Sequence, residues 1–171
     1  MGDRSLSKTR RLALMAVLTA IALGIFMLEA QLPSPVPIPG VKLGLANIIT
    51  LTAMLILGRR EAGVILLLRI VMGAMFAGSP STLIFSAMGG VFAYLCMCLL
   101  TRFIPEERLW ATSAVSAVAH NAGQLLASIL VLRTPGLLVY APVLAVSGVI
   151  TGVFTGVAAK YLVRALRRLR L

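Results

Sequence analysis

Arg69 is the residue whose position most needs a chemical explanation, because it lies within an apolar run long enough to form a membrane helix. A charge inside a membrane is costly, and it usually faces the interior of a helix bundle, where it binds a partner or a ligand. The sequence leaves two hypotheses open. Arg69 anchors an anionic ligand, or it forms a structural ion pair for which Glu29 is the obvious partner.

A second polar group lies within a later apolar run and contains His120, Asn121 and Gln124. On a helix, His120 and Gln124 are four residues apart and Asn121 and Gln124 are three apart, so the three side chains share one arc. Hydrogen bonds between helices are one interpretation, worth about 1 kcal/mol per pair in a membrane. The other interpretation, which we favour, is that these side chains bind a ligand.

Three further polar residues are predicted to lie near one another, at the end of the bundle where the first helix ends and the second begins. Glu29 closes the first apolar run, and Lys42 and Asn47 open the second. Lys42 follows alternate prolines at residues 33–39, which favour an extended path. We expect these side chains and the two groups above to line one pocket. The opposite half of the bundle is expected to carry almost no polar groups, so that the pocket is closed there.

Several kinds of catalytic site are missing from the sequence. Asp3 is the only aspartate, so the clustered carboxylates that bind Mg²⁺ in prenyl diphosphate chemistry cannot form. No phosphate-binding loop of the ATPase type is present. Cys96 and Cys98 point to different sides of a helix and have no metal-site spacing. We therefore expect no catalytic residue, cofactor or metal, and predict that the chain is not an enzyme.

The elements that must position these residues are transmembrane helices. Of the 171 residues, 60% are hydrophobic and only 12% are charged, which is far below the charged surface of a soluble domain. The sequence predicts an all-α, polytopic membrane bundle that forms a single domain over residues 1–171. The six predicted spans cover residues 11–30, 41–57, 62–77, 81–100, 109–132 and 137–163.

The basic residues predict how this bundle is oriented. Thirteen Lys and Arg residues fall at the ends and turns on one side, whereas Lys42 and Arg133 are alone on the other side. Positively charged loops stay in the cytoplasm. We therefore predict a multi-pass protein of the cell membrane with both termini cytoplasmic and the pocket facing outside. The basic residues flank spans instead of forming one face, which argues against nucleic-acid binding.

The first helix carries small residues at every fourth position, namely Ala16, Ala20 and Gly24. Such a stripe lets another helix approach closely in lipid. It either packs inside this chain or forms an interface with a partner protein, and the spacing alone does not decide between these.

The resemblance to a known family rests on several blocks in order: PIPGVKLGLANI at 37–48, LRI at 68–70, the glycine pair at 89–90, HNAGQ at 120–124 and GVITG at 148–152. With these blocks the chain resembles the Gx transporter family, which also goes by the name heptaprenyl diphosphate synthase component I. That family is similar in layout to the substrate-binding S components of energy-coupling factor transporters.

The resemblance implies a six-helix protein that captures a small nutrient from outside. It also implies partners, a membrane coupling subunit and cytoplasmic ATPases, with the stripe on the first helix docking on the coupling subunit. Our first hypothesis is such a transport subunit, with membrane lipids as its surroundings. The alternative is a non-catalytic membrane component of heptaprenyl diphosphate or isoprenoid-quinone synthesis. A third is a stand-alone channel or carrier, which the scarcity of intramembrane acids disfavours.

Overall fold

The computed structural model describes residues 7–31, 42–78 and 80–168, and within these residues it is all-helical. The proline-rich loop therefore lies outside the described residues. Six α-helices and two short 3₁₀ segments follow in order: α1 Lys8–Glu29, α2 Asn47–Ile56, α3 Arg59–Ala77, α4 Pro80–Leu100, a 3₁₀ turn Glu106–Arg108, α5 Leu109–Leu132, a 3₁₀ segment Pro135–Tyr140 and α6 Ala141–Arg168.

Four of the described helical segments are long and apolar enough to cross a membrane: Lys8–Glu29, Pro80–Leu100, Glu106–Leu132 and Pro135–Arg168. Their apolar side chains are often exposed, as at Leu28 and Phe154, which is expected where the neighbour is lipid instead of protein. The predicted helical membrane bundle is confirmed. The remaining two helices, α2 and α3, do not meet the same criterion.

The prediction for the second span is wrong at its start. Residues 42–46 are not helical, and α2 has only 10 residues, which rise about 15 Å, half the thickness of a membrane core. Within this non-helical path, Gly44 has a left-handed conformation with φ +79°, which an α-helix does not contain. Seven of the ten α2 residues are buried, so α2 lies inside the bundle.

The start of the last span also differs from the prediction. Residues 135–140 form a 3₁₀ segment, and α6 begins at Ala141, directly before Pro142. Proline is favoured in the first turn of a helix because its missing N–H has no partner there in any case. The bounds predicted for α5, residues 109–132, are those observed.

Helix α5 lies between α4 and α6, and glycines allow the close contact on both sides. A Cβ added at Gly123 would lie 2.6 Å from the Met88 carbonyl oxygen of α4. On the other side, a Cβ added at Gly152 would lie 2.4 Å from Ala114 Cα. Both distances are below any real contact, so only glycine permits these backbones to approach so closely. This packing fixes the polar arc of α5 relative to α4 and α6.

Candidate functional site

Arg69 is buried in the bundle with only 4% of its surface exposed. Within the described part of the chain, its Nε and Nη2 atoms have no hydrogen-bond partner. The ring centre of Phe26 of α1 lies 5.6 Å from the guanidinium carbon. Buried charged donors that make no hydrogen bond are unfavourable, so an anionic group at Nε and Nη2 would stabilise this site.

The glycine pair of α4 brings Arg69 and His120 to one site. A Cβ added at Gly89 would lie 2.8 Å from His120 Cε1 and 2.8 Å from Gln124 Cγ. A Cβ added at the next residue, Gly90, would lie 3.7 Å from Arg69 Nη2. The two glycines therefore form a surface without side chains, against which the imidazole and the guanidinium both lie.

His120 and Gln124 are both almost fully buried, with 3% and 2% exposure. His120 Nδ1 makes no hydrogen bond of normal geometry with any described residue, although the Gly89 backbone lies close to it. The Gln124 side-chain oxygen accepts a hydrogen bond of 3.0 Å from the Lys42 backbone N–H. Gln124 therefore connects α5 to the segment that precedes α2.

Glu29 has a role that the sequence did not reveal. Its buried carboxylate accepts hydrogen bonds from the backbone N–H groups of Gly44 and Leu45, the second at 3.1 Å. It also interacts electrostatically with Arg69 and Lys42, but it is not in ion-pair contact with Arg69. Of the two hypotheses left open for Arg69, the direct ion pair with Glu29 is therefore not observed. The carboxylate instead holds the segment 42–46 and contributes negative charge nearby.

Lys42 and Asn47 lie on either side of Gly44. The Lys42 ammonium lies 3.6 Å from the centre of the Phe26 ring, a cation–π contact. Burial lowers the pKa of Lys42 from its usual value, and the carboxylate of Glu29 opposes that shift. A Cβ added at Gly44 would lie 3.0 Å from both Asn47 Nδ2 and His120 Cδ2, so Asn47 lies close to the imidazole.

Asn121 lies at the edge of this group. Its amide nitrogen donates a 2.7 Å hydrogen bond to the Leu144 carbonyl of α6, and a Cβ added at Gly148 would lie 3.0 Å from the same atom. Its side-chain oxygen is buried without a hydrogen bond to any described residue. Asn121 thus joins α5 to α6, as the interhelical interpretation expects, and retains one free acceptor.

The seven predicted site residues therefore converge at one end of the bundle, although not all with their expected partners. Arg69, His120, Gln124 and Asn47 lie around the glycine pair and Gly44. The seven residues supply two cations, one carboxylate, three amides and an imidazole. Such a set can bind an anionic or strongly hydrogen-bonding small molecule, with the guanidinium neutralising charge and the amides fixing orientation.

The expectation that the other half of the bundle is nearly free of polar groups is wrong. Thr112 and Ser116 of α5 are fully buried, and their hydroxyls have no hydrogen-bond partner among the described residues. Ser113 contacts Thr155 of α6 through their hydroxyls, 2.8 Å apart. The signal was present in the sequence, because Thr112 and Ser116 continue the every-fourth-residue series that contains His120.

The small-residue stripe of α1 lies on the outside of the bundle. Ala16, Ala20 and Gly24 are all exposed, and a Cβ added at Gly24 would have nothing within 4 Å. Of the two interpretations left open by the sequence, internal packing of this stripe is therefore wrong. The stripe is free to contact lipid or a second protein.

Comparison with known proteins gives one match. The family model described as heptaprenyl diphosphate synthase component I matches residues 18–162, which include all seven predicted site residues. No curated protein and no solved structure matches the chain.

Proposed function

The chain belongs to the heptaprenyl diphosphate synthase component I family, and from this membership and the geometry of its buried polar cluster we propose that it is a non-catalytic membrane subunit that binds a small hydrophilic ligand. In this proposal it acts as the substrate-binding subunit of an energy-coupling factor type importer. The ligand is a nutrient or precursor taken up from the outer side of the cell membrane.

The observation that carries the proposal is the state of Arg69. Its guanidinium is buried, two of its three nitrogens have no hydrogen-bond partner among the described residues, and His120 lies beside it. A purely structural arginine inside a membrane protein is expected to have its hydrogen bonds satisfied. Buried donors without an acceptor in the described part of the chain instead match a site that exchanges a ligand.

The segment 42–46 supports binding from one side of the bundle. It is joined to α1 through Glu29 and to α5 through Gln124, by hydrogen bonds to its backbone. These few polar contacts hold a short non-helical segment over the cluster. Rearranging them would open the cluster without unfolding a helix, as ligand entry requires.

Two features of the chain indicate the partners of this proposed importer: it has no phosphate-binding loop, and the small-residue stripe of α1 is exposed. Without a phosphate-binding loop it has no means of hydrolysing ATP itself, so separate cytoplasmic ATPases would supply the energy. The exposed stripe of Ala16, Ala20 and Gly24 would receive a helix of a membrane coupling subunit. Both termini would lie in the cytoplasm, following the excess of Lys and Arg on that side.

A second function is favoured by the family description itself, which names a component of a prenyl diphosphate synthase. An open, mostly apolar depression on one face of α6, with a volume of about 480 Å³, would be the place for a prenyl tail in that case. The depression is lined by Pro142, Val143, Val146, Ser147, Ile150 and Thr151. The chain would then act as the membrane partner of a separate catalytic subunit.

Native mass spectrometry of the purified protein tests the proposal. We expect the wild type to retain a small molecule and Arg69→Ala to lose it, while exposed Arg133→Ala retains it. Arg69→Lys, which keeps the charge, should retain part of the binding and shows whether loss in Arg69→Ala reflects unfolding. If Arg69→Ala keeps the molecule, or if the wild type instead carries a prenyl diphosphate and a soluble subunit, the importer proposal is wrong.

A further inference from the structure

The charges around the cluster do not cancel. Arg69 and Lys42 are cations and Glu29 is the only carboxylate that interacts with them among the described residues. Residues 32–41, which lie outside the described part, contain no ionisable side chain, so they do not alter the count. The site thus carries one positive charge in excess, since two cations face one anion.

His120 is counted as neutral, because it is buried and lies beside the Arg69 guanidinium along the glycine pair of α4. Arg133 is exposed, where solvent screens its charge.

Two nitrogens of Arg69 have no hydrogen-bond partner among the described residues, and their geometry indicates which group they would bind. Nε and Nη2 lie on the same side of the planar guanidinium, and their N–H groups are parallel. This edge matches the two oxygens of a carboxylate in a bidentate pair. Glu29, the nearby carboxylate, is already bound to the backbone of Gly44 and Leu45, so it does not occupy this edge.

From the charge count and this edge we propose that the ligand is a monocarboxylate, held by the Nε–Nη2 edge of Arg69. This inference rests on the proposed ligand-binding function and narrows it to one chemical class. One carboxylate neutralises the site, whereas a neutral ligand leaves one positive charge unpaired. A dicarboxylate leaves one negative charge unpaired in a buried site, and a diphosphate, which carries more negative charge at neutral pH, leaves more than one. Glu29 is then a specificity-determining residue, because its own charge sets how many negative charges the ligand brings.

The test measures thermal stabilisation of the purified full-length protein at constant ionic strength and neutral pH. The probes are matched sets: acetate with acetamide and malonate, and benzoate with benzamide and phthalate, together with inorganic diphosphate. We expect one or both monocarboxylates to stabilise the wild type. Their amides and dicarboxylates should bind about thirtyfold more weakly, the usual effect of leaving a buried charge unpaired.

Two variants change the charge count, in opposite directions. Glu29→Gln raises the excess to two positive charges and should move the preference to malonate or phthalate. Lys42→Gln lowers it to zero and should remove the preference for the acid over its amide, while the Lys42 backbone N–H can still bind Gln124. Glu61→Gln is the matched control, since Glu61 pairs with Arg11 and has no contact with the cluster. It should keep the wild-type preference.

The outcomes separate this inference from the proposed function. If a dicarboxylate or diphosphate stabilises the wild type best and Arg69→Ala abolishes that effect, the ligand site stands and the monocarboxylate inference is overturned. The ligand site also stands, and the monocarboxylate inference is also overturned, if no probe binds but the wild type retains a molecule that Arg69→Ala loses. If no probe binds and Arg69→Ala changes nothing in the mass spectrum, both fail. A preference unchanged in Glu29→Gln also overturns the inference.

Discussion

Gly89→Ala introduces the smallest possible change at the centre of the polar cluster. The new methyl group would lie 2.8 Å from His120 Cε1 and 2.8 Å from Gln124 Cγ, closer than carbon atoms approach in proteins. His120 and Gln124 must therefore move. Because Gln124 accepts from the Lys42 backbone at 3.0 Å, its displacement also loosens the segment 42–46. We expect a loss of ligand binding that is larger than the loss of stability.

The magnitude follows from two opposing effects on the free energy of unfolding. Replacing glycine by alanine inside a helix stabilises it by about 1 kcal/mol. Overpacking a buried contact costs about 1–3 kcal/mol. The net destabilisation is therefore about 0–2 kcal/mol, a fall of a few degrees in the unfolding midpoint for a chain of this size. Ligand binding loses hydrogen bonds from two displaced side chains, about 1 kcal/mol each, which weakens affinity about thirtyfold.

Gly90→Ala is the matched control, one residue along the same helix. Its methyl group would lie 3.1 Å from Ile70 Cδ1 and 3.2 Å from Leu66 Cδ1, the ends of flexible side chains that can shift slightly. Stability should be unchanged or raised, and ligand binding retained. The measurements are the unfolding midpoint in detergent and the retained small molecule by native mass spectrometry. If Gly89→Ala binds the ligand as the wild type does, or if Gly90→Ala loses binding to the same extent, Gly89 does not position His120 and Gln124 for the ligand.

Two other predictions concern contacts away from the cluster. Ala20→Trp places a large side chain on the exposed stripe of α1, so uptake should stop while ligand binding and the unfolding midpoint are retained; Leu95→Trp on the exposed face of α4 is the control and should leave uptake intact. Loss of ligand binding in Ala20→Trp would contradict an interface at this stripe. Ser113→Val removes a hydroxyl that contacts Thr155, which keeps its own bond to the Gly152 carbonyl at 3.1 Å. We expect destabilisation of about 0.5–1.5 kcal/mol, and an unfolding midpoint unchanged or raised would show that the contact is not stabilising.

The sequence determined most of the helices, because an apolar run of membrane length in lipid has no other way to satisfy its backbone. It also indicated which side chains must be inside. Arg69, His120 and Gln124 are polar residues within apolar runs, and the cost of exposing them to lipid drives them toward the interior. The exposed position of the α1 stripe was one of two outcomes that the spacing allowed.

Only the tertiary structure decided which of these buried groups meet. The Glu29 carboxylate binds backbone N–H groups 15 and 16 residues away, and Gln124 binds the Lys42 backbone 82 residues away. A side-chain pattern contains no information about backbone donors, so Arg69 appeared to be the natural partner of Glu29. The left-handed residue Gly44, which precedes α2, donates one of those long-range bonds. The sequence pattern therefore shows which polar side chains would be costly to expose to lipid. Which group each of those side chains contacts is decided by how the helices pack.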